Sequence, residues 1–147
     1  MNLIIDIGNS RVKCAVVTDR TIAARREHDV VTREWLQQII NDFPGICRAI
    51  VSTTRQNLGE VEMMLREMVD YVVGFQSGVT PIPIDNDYHT PLTLGADRLA
   101  AAVGGVMLYP GYDLMIVDFG TAITIDFVEG GSFRGGNISP GVTTRFR

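Results

Sequence analysis

Histidine is nearly absent from this sequence: His28 and His89 are the only two in 147 residues. Two isolated imidazoles support neither a His-based metal site nor a Ser–His type triad. Cysteine is equally sparse. Cys14 and Cys47 lie far apart, each in an apolar run, without the spacing of a zinc site or a disulfide framework, so both read as buried thiols in a reducing cytosol. Basic residues are outnumbered, 13 Lys and Arg against 17 Asp and Glu, and the net charge of −4 leaves no electrostatic footprint for nucleic acid. No apolar run approaches the ~20 residues of a membrane span. Asp6 interrupts the first apolar stretch and no basic segment precedes it, so no secretory signal is read and a soluble cytoplasmic protein is expected. Two familiar nucleotide signatures are missing as well: no Gly-Lys-Ser/Thr follows a glycine-rich loop, and no G-x-G-x-x-G opens a helix.

What is present is a globular composition, 46% hydrophobic and 20% charged, in a length that suits about one domain with a buried core. Apolar runs with period two lie on both sides of Gly8-Asn9-Ser10, which predicts a hairpin through Val17. A tight turn at Thr18-Asp19-Arg20 leads to a third strand over residues 21–26. Thr32 is placed to cap a helix over 32–41 that buries Leu36, Ile39 and Ile40 and stops at Pro44-Gly45. Residues 48–52 read as a buried strand ending in the polar cluster Ser52-Thr53-Thr54-Arg55, where open α/β sheets place ligands. A helix over 56–68 and a short strand over 71–73 follow, with Met63, Met64 and Met68 expected to fill core space. Residues 76–94, with Pro81, Pro83 and Pro91, read as a long irregular loop of the kind that is often functional. A helix opening at Gly95-Ala96-Asp97-Arg98 must end by Pro110. Strands followed by alternating helix and strand imply an α/β layered architecture with a mixed sheet.

The chemistry concentrates in two similar stretches. Ile4-Ile5-Asp6-Ile7-Gly8-Asn9-Ser10-Arg11-Val12-Lys13 carries one carboxylate into a small polar turn, and Met115-Ile116-Val117-Asp118-Phe119-Gly120-Thr121-Ala122-Ile123-Thr124-Ile125 repeats the pattern. The repetition suggests an internal duplication, each half offering an Asp and a Gly turn to one nucleotide. Gly8 is expected to permit close ligand approach and dihedrals closed to other residues. Turn N–H groups, Asn9, Ser10 and Lys13 suit a phosphate. Asp6 beside that phosphate needs a metal ion or a metal-bound water between them. Asp97 at a helix start has an ordinary reading as a cap, worth ~0.3–1 kcal/mol, and a chemical one as a proton acceptor beside Arg98. Gly135-Gly136 lets a backbone pass close to a nucleotide or makes a simple turn. His89 reads as a loop residue and no more.

Four motifs in order, Asp6-x-Gly8-Asn9-Ser10-x-x-Lys13, Gly95-Ala96-Asp97-Arg98, Asp118-x-Gly120-Thr121-Ala122 and Gly135-Gly136-x-Ile138-x-Pro140-Gly141, resemble the type III pantothenate kinases of the sugar-kinase/actin/heat-shock-ATPase superfamily. The resemblance implies a duplicated ribonuclease H-like (actin-like ATPase) fold: a first half over 1–75, a substrate loop over 76–94, and the start of a second half over 95–147. It implies ATP-dependent phosphorylation of pantothenate to 4'-phosphopantothenate, the first step of coenzyme A biosynthesis. Asp97 is then the base facing the pantothenate hydroxyl, and Tyr88, Gly95, Ala96, Asp97 and Arg98 bind that substrate. Asp6, Ile7, Gly8, Asn9, Ser10, Arg11, Val12, Lys13 and Thr121 serve ATP. Asp118 carries a monovalent cation, K⁺ or NH₄⁺, and Asp6 acts on Mg²⁺ through water. A homodimer sharing residues across its substrate site is also implied. Two alternatives stand beside it: another small-molecule kinase, and a non-catalytic nucleotide-binding or regulatory protein of the same fold. Because the resemblance implies a longer sequence, the second half is expected to be incomplete. Residues 1–147 alone are expected to lack turnover, to expose Ile116, Ile123 and Ile125, and to begin a further helix at Pro140-Gly141.

Overall fold

The computed structural model describes residues 1–54 and 56–141; Arg55 of the polar cluster and the helix expected to develop after Gly141 lie outside the described residues. The chain divides into two compact units, Met1–Phe75 and Gln76–Arg147.

The first unit begins with the expected hairpin, β1 (Asn2–Ile7) and β2 (Val12–Thr18), paired antiparallel from Asn2↔Val17 to Ile7↔Val12. A two-residue turn, with Asp19 and Arg20 both at positive φ (47° and 65°), sends the chain back as β3 (Thr21–His28). Left-handed dihedrals at both central positions match the right-handed twist of paired strands, and here the turn takes them without glycine. β3 runs two residues past the expected end. Next come α1 (Arg33–Asp42), β4 (Arg48–Thr53), α2 (Leu58–Arg66) and β5 (Tyr71–Gly74), giving the sheet order β3-β2-β1-β4-β5 with β4 parallel to both β1 and β5.

Helix ends are set by side chains. Thr32 caps α1 by accepting from the Trp35 N–H at 3.2 Å. α2 is shorter than expected at both ends, because Asn57 takes the N-cap and accepts from the Gly59 N–H at 3.0 Å. Alternation along β1 sends Leu3, Ile5 and Ile7 into the core, where Val12, Val16 and Val51 meet Leu36 and Ile39 of α1 and Val61 and Leu65 of α2. Met64 and Met68 pack on this core, whereas Met63 is 60% exposed and fills none of it. Burial pushes the Cys14 thiol above its ordinary pKa, as expected of a thiol facing the core, whereas Cys47 is only half-buried, contrary to expectation.

The second unit contains β6 (Asp85–Asn86), α3 (Ala96–Leu108), β7 (Leu114–Phe119), β8 (Ala122–Glu129) and β9 (Ser132–Pro140), in the sheet order β6-β9-β8-β7. The proline-rich loop is more regular than expected. Asp85–Asn86 adds a short parallel strand to β9, and Pro91–Thr93 forms a turn of 3₁₀ helix before α3. Pro140 ends a strand rather than opening a helix. Gly135-Gly136 is not a turn but lies inside β9, where Gly135 sits at φ +97° opposite Phe127 beside a register shift in β8.

α3 packs on one face of this sheet, with Gly105 close to Leu114 and Ile116. On the other face Met115, Val117, Phe119 and Phe127 are exposed. Ile116, Ile123 and Ile125 are half-buried rather than exposed, Ile116 because it lies beneath α3. No helix of the described residues is long and apolar enough to cross a membrane.

Leu36→Ala should lower unfolding free energy by about 2–5 kcal/mol, since it empties a fully buried site. Met63→Ala, at an exposed position, should shift it by no more than about 0.5 kcal/mol. Urea denaturation followed by circular dichroism checks both values.

Candidate functional site

In the first unit the open face of the sheet carries a row of polar side chains. Register places Asp6 of β1 between Lys13 of β2 and Ser52 of β4, with Glu27 of β3 next to Lys13. The Ser52 hydroxyl donates to Asp6 Oδ1 at 3.0 Å, which fixes the half-buried carboxylate and leaves Oδ2 for another partner. Lys13 is exposed, and a solvent-open hollow on this face is lined by Ile4, Asp6, Lys13, Ala15 and Arg25 among others.

At the end of the row the chain turns. The Gly8 N–H donates to the Arg11 carbonyl at 3.1 Å, and the Thr54 N–H donates to the Ile7 carbonyl at 2.9 Å. The Thr54 hydroxyl reaches Asn9 Oδ1 at 3.1 Å, so the end of β4 holds the turn in place. Ile7 and Val12 are fully buried, which limits any ligand contact from them to the backbone. Asn9, Ser10 and Arg11 are exposed. Gly8 does not use a left-handed conformation, contrary to expectation, and a Cβ there would make only ordinary contact, 3.5 Å from the Arg11 carbonyl. The fold does not itself demand glycine at this position. What glycine gives is open space above the turn, where a ligand backbone approach is unobstructed.

The second hairpin is built differently in detail. Its turn closes with the Gly120 N–H donating to the Ala122 carbonyl at 2.9 Å, and the Gly141 N–H donates to the Thr121 carbonyl at 3.1 Å. A Cβ on Gly141 would lie 2.5 Å from the carbonyl oxygens of both Gly120 and Thr121, so only glycine lets β9's end pack on this turn. Asp118, opposite Thr124, is exposed near the turn.

Tyr88, Gly95, Ala96, Asp97 and Arg98 come together in the second unit. The backbone after β6 is pinned to β9, the Asp87 N–H donating to the Phe133 carbonyl at 3.0 Å. The Tyr88 ring leans on Phe133 with centroids 6.2 Å apart, and a Cβ on Gly135 would stand 2.9 Å from its Cδ2. Gly95 caps α3 with its backbone alone. Asp97, in the first turn, is exposed, and its Oδ1 accepts from the Arg98 N–H at 2.9 Å. The helix-start reading and the chemical one therefore coexist: one oxygen satisfies an otherwise unpaired N–H while the carboxylate still faces solvent.

Arg98 is buried, 9% exposed, against Asp126 of β8 at 1%. Its Nε donates to Oδ1 and Oδ2 at 3.1 and 3.0 Å, and Nη2 donates to Oδ1 as well. The hydrogen bond to Asp126 raises the Arg98 pKa against the opposing effect of burial, with Tyr88 a smaller contributor. Removing one partner of such a pair leaves a buried charge uncompensated, at a cost of about 3–5 kcal/mol. Asp126 is the site residue that sequence reading missed. Its signal was a carboxylate on the inward side of an alternating apolar strand, Ile123 to Val128.

Among the described residues no three His, Cys, Asp or Glu side chains gather as a metal site. Asp6 and Asp118 are single hard oxygen donors, and they fit Mg²⁺ or K⁺ only where phosphate oxygens, water or backbone carbonyls complete the shell.

Comparison with known proteins shows the family. The family model for type III pantothenate kinase matches residues 2–147. A type III pantothenate kinase of Phocaeicola vulgatus is 36% identical over 151 residues, spanning 100% of this chain and 60% of the relative. One from Bacteroides fragilis is 39% identical over 149 residues, again with 100% and 60% covered. The chain thus spans about three fifths of the length of these relatives. A crystal structure from Campylobacter jejuni, described as a conserved Baf family transcriptional activator, superposes with TM-score 0.57 at 24% identity over 97% of this chain and 56% of that one. Component A of the (R)-2-hydroxyglutaryl-CoA dehydratase of Acidaminococcus fermentans superposes with TM-score 0.52 at 14% identity, covering 95% and 47%. These two likenesses show a shared α/β fold. With the family model matching from residue 2 to 147, the chain belongs to the type III pantothenate kinase family.

Proposed function

We propose that the full-length protein is an ATP-dependent pantothenate kinase, transferring the γ-phosphoryl group to the substrate's primary hydroxyl in the first step toward coenzyme A. The observation that carries the reading is Asp97, an exposed carboxylate in the first turn of α3, beside an Arg98 fixed from behind and a Tyr88 seated on Phe133. A loose phosphoryl-transfer transition state asks for positioning and charge neutralisation more than for covalent help. Asp97 receives the hydroxyl proton, Arg98 takes the substrate carboxylate, and Tyr88 with Gly95 and Ala96 borders the substrate. The Gly8–Arg11 turn, through its N–H groups, Asn9 and Ser10, binds phosphate oxygens, with Lys13 as the point charge and Ile7 and Val12 contributing backbone. Thr121 serves ATP. Asp6 holds Mg²⁺ through water and Asp118 holds K⁺ or NH₄⁺. At ~4 Å and an effective dielectric of ~20 each charge pair is worth about 4 kcal/mol before solvation costs, so phosphates near these carboxylates require the cations. The protein is cytoplasmic and works as a homodimer, which sedimentation equilibrium would test.

Phosphorylation measured on pantothenate against a panel of other primary alcohols tests the substrate. Strong preference for pantothenate is expected. Equal rates on the panel would favour a different small-molecule kinase, and ATP binding without any turnover would favour the regulatory reading. Asp97→Asn keeps shape and helix-start hydrogen bonding, and it should lower kcat by roughly 10²–10⁴, with the lower end expected for a loose transition state. Near wild-type turnover would return Asp97 to a purely structural role.

The cation assignment makes a separate prediction. Activity should fall when K⁺ and NH₄⁺ are replaced by Na⁺, and Asp118→Ala should abolish that response together with most activity. Rates indifferent to the monovalent ion would leave Asp118 without this role.

A further inference from the structure

We propose that Asp126 is a positioning residue for the substrate carboxylate: it clamps one edge of the Arg98 guanidinium so that the other edge is presented in a fixed plane beside Tyr88. This rests on the pantothenate reading above and deepens it at a residue outside the motifs that suggested it. Arg98 has five N–H donors. Its Nε and one N–H of Nη2 are taken by Asp126; the second Nη2 proton and the two Nη1 protons are shared between Tyr88, whose side chain also bonds Arg98, and a substrate. A carboxylate accepts such a pair of parallel N–H groups bidentately, provided the plane is already set.

Three features argue that the clamp serves orientation and not stability alone. First, apolar residues at positions 98 and 126 together would pack beneath α3 with no ion to desolvate, and replacing a whole buried ion pair by apolar side chains is often neutral or stabilising. Second, the pair is joined to the proposed substrate wall through Tyr88. Tyr88 acts on Arg98, the Tyr88 ring rests on Phe133, and the backbone of Gly135 leaves no room for a side chain under that ring. Third, Asp126 and Gly136 are cross-strand partners, so the carboxylate is mounted on the same strand pair that carries Phe133 and Gly135.

The proposal has a sign opposite to simple electrostatics. Asp126→Asn adds one positive charge to the locality. Were Arg98 only a point charge, that variant would bind an anionic substrate as well as before or better. If orientation is what matters, the freed guanidinium rotates and binding weakens. In steady-state kinetics on the full-length protein, Asp126→Asn should raise KM for pantothenate about ten-fold or more, with KM for ATP within about two-fold and kcat falling less than KM rises. Arg98→Lys should do the same, and the double variant should be no worse than the poorer single one.

Circular dichroism establishes whether Asp126→Asn folds. If it does not, the wild-type protein carries the test through the side-chain ¹H–¹⁵N signal of Arg98 Nε. That signal should be present and slowly exchanging, and should shift on titration with pantothenate but not with a non-hydrolysable ATP analogue alone. An unchanged or lower KM for pantothenate in folded Asp126→Asn, or an Arg98 signal indifferent to pantothenate, overturns the positioning role while leaving the kinase reading intact. Wild-type protein that neither binds nor phosphorylates pantothenate overturns both.

Discussion

Strand alternation with one face buried is the constraint on which the first unit depends. β1 lies at the centre of its sheet, bonded antiparallel to β2 and parallel to β4. Leu3, Ile5 and Ile7 are essentially inaccessible in a core that also takes residues from both helices, and this burial locks the register. With the odd positions committed, Asp6 has only the open face, and its neighbours in register are Lys13 and Ser52. A slip by one residue would bury the carboxylate and expose the core at the same time. The site's polar row is therefore held by apolar packing on the other side of the same strand.

The second unit solves a harder problem, because its site includes a charge within the packed layer. Arg98 follows Asp97 directly, yet the helix turns the first toward solvent and the second into the sheet. Only a carboxylate on the inward side of β8 makes that tolerable, and β8 supplies Asp126 with three hydrogen bonds. The adjoining glycines follow from the same crowding. Gly135 clears space for Tyr88, and Gly141 lets β9 settle on the Gly120-Thr121 turn. These two glycines thus act on the protein's own backbone and side chains, whereas at Gly8, expected to permit unusual dihedrals, the fold leaves open space instead.

Family membership and architecture were legible in the residue order because each motif is local: a period-two run, a small polar turn, a helix start. Hairpins, the Thr32 cap and the helix after Gly95 follow from interactions between residues a few positions apart, and short-range chemistry states them plainly. Local reading went astray where the deciding partner was distant. The loop before α3 gained a strand by pairing with β9 47 residues on, as in Asp85↔Ser132, and Gly135-Gly136 became part of a strand paired with β8.

By itself, then, the sequence determined which side chains were available for chemistry: Asp6, Lys13, Asp97, Arg98, Asp118 and Tyr88, each marked by an unusual residue in a patterned context. Tertiary structure alone decided what holds them. Ser52 meets Asp6 across 46 positions and Asp126 meets Arg98 across 28, and neither pairing leaves a trace in local composition. The physical reason is that hydrogen bonds and ion pairs of this kind are fixed by strand register and helix rotation, which exist only after the apolar faces have been buried.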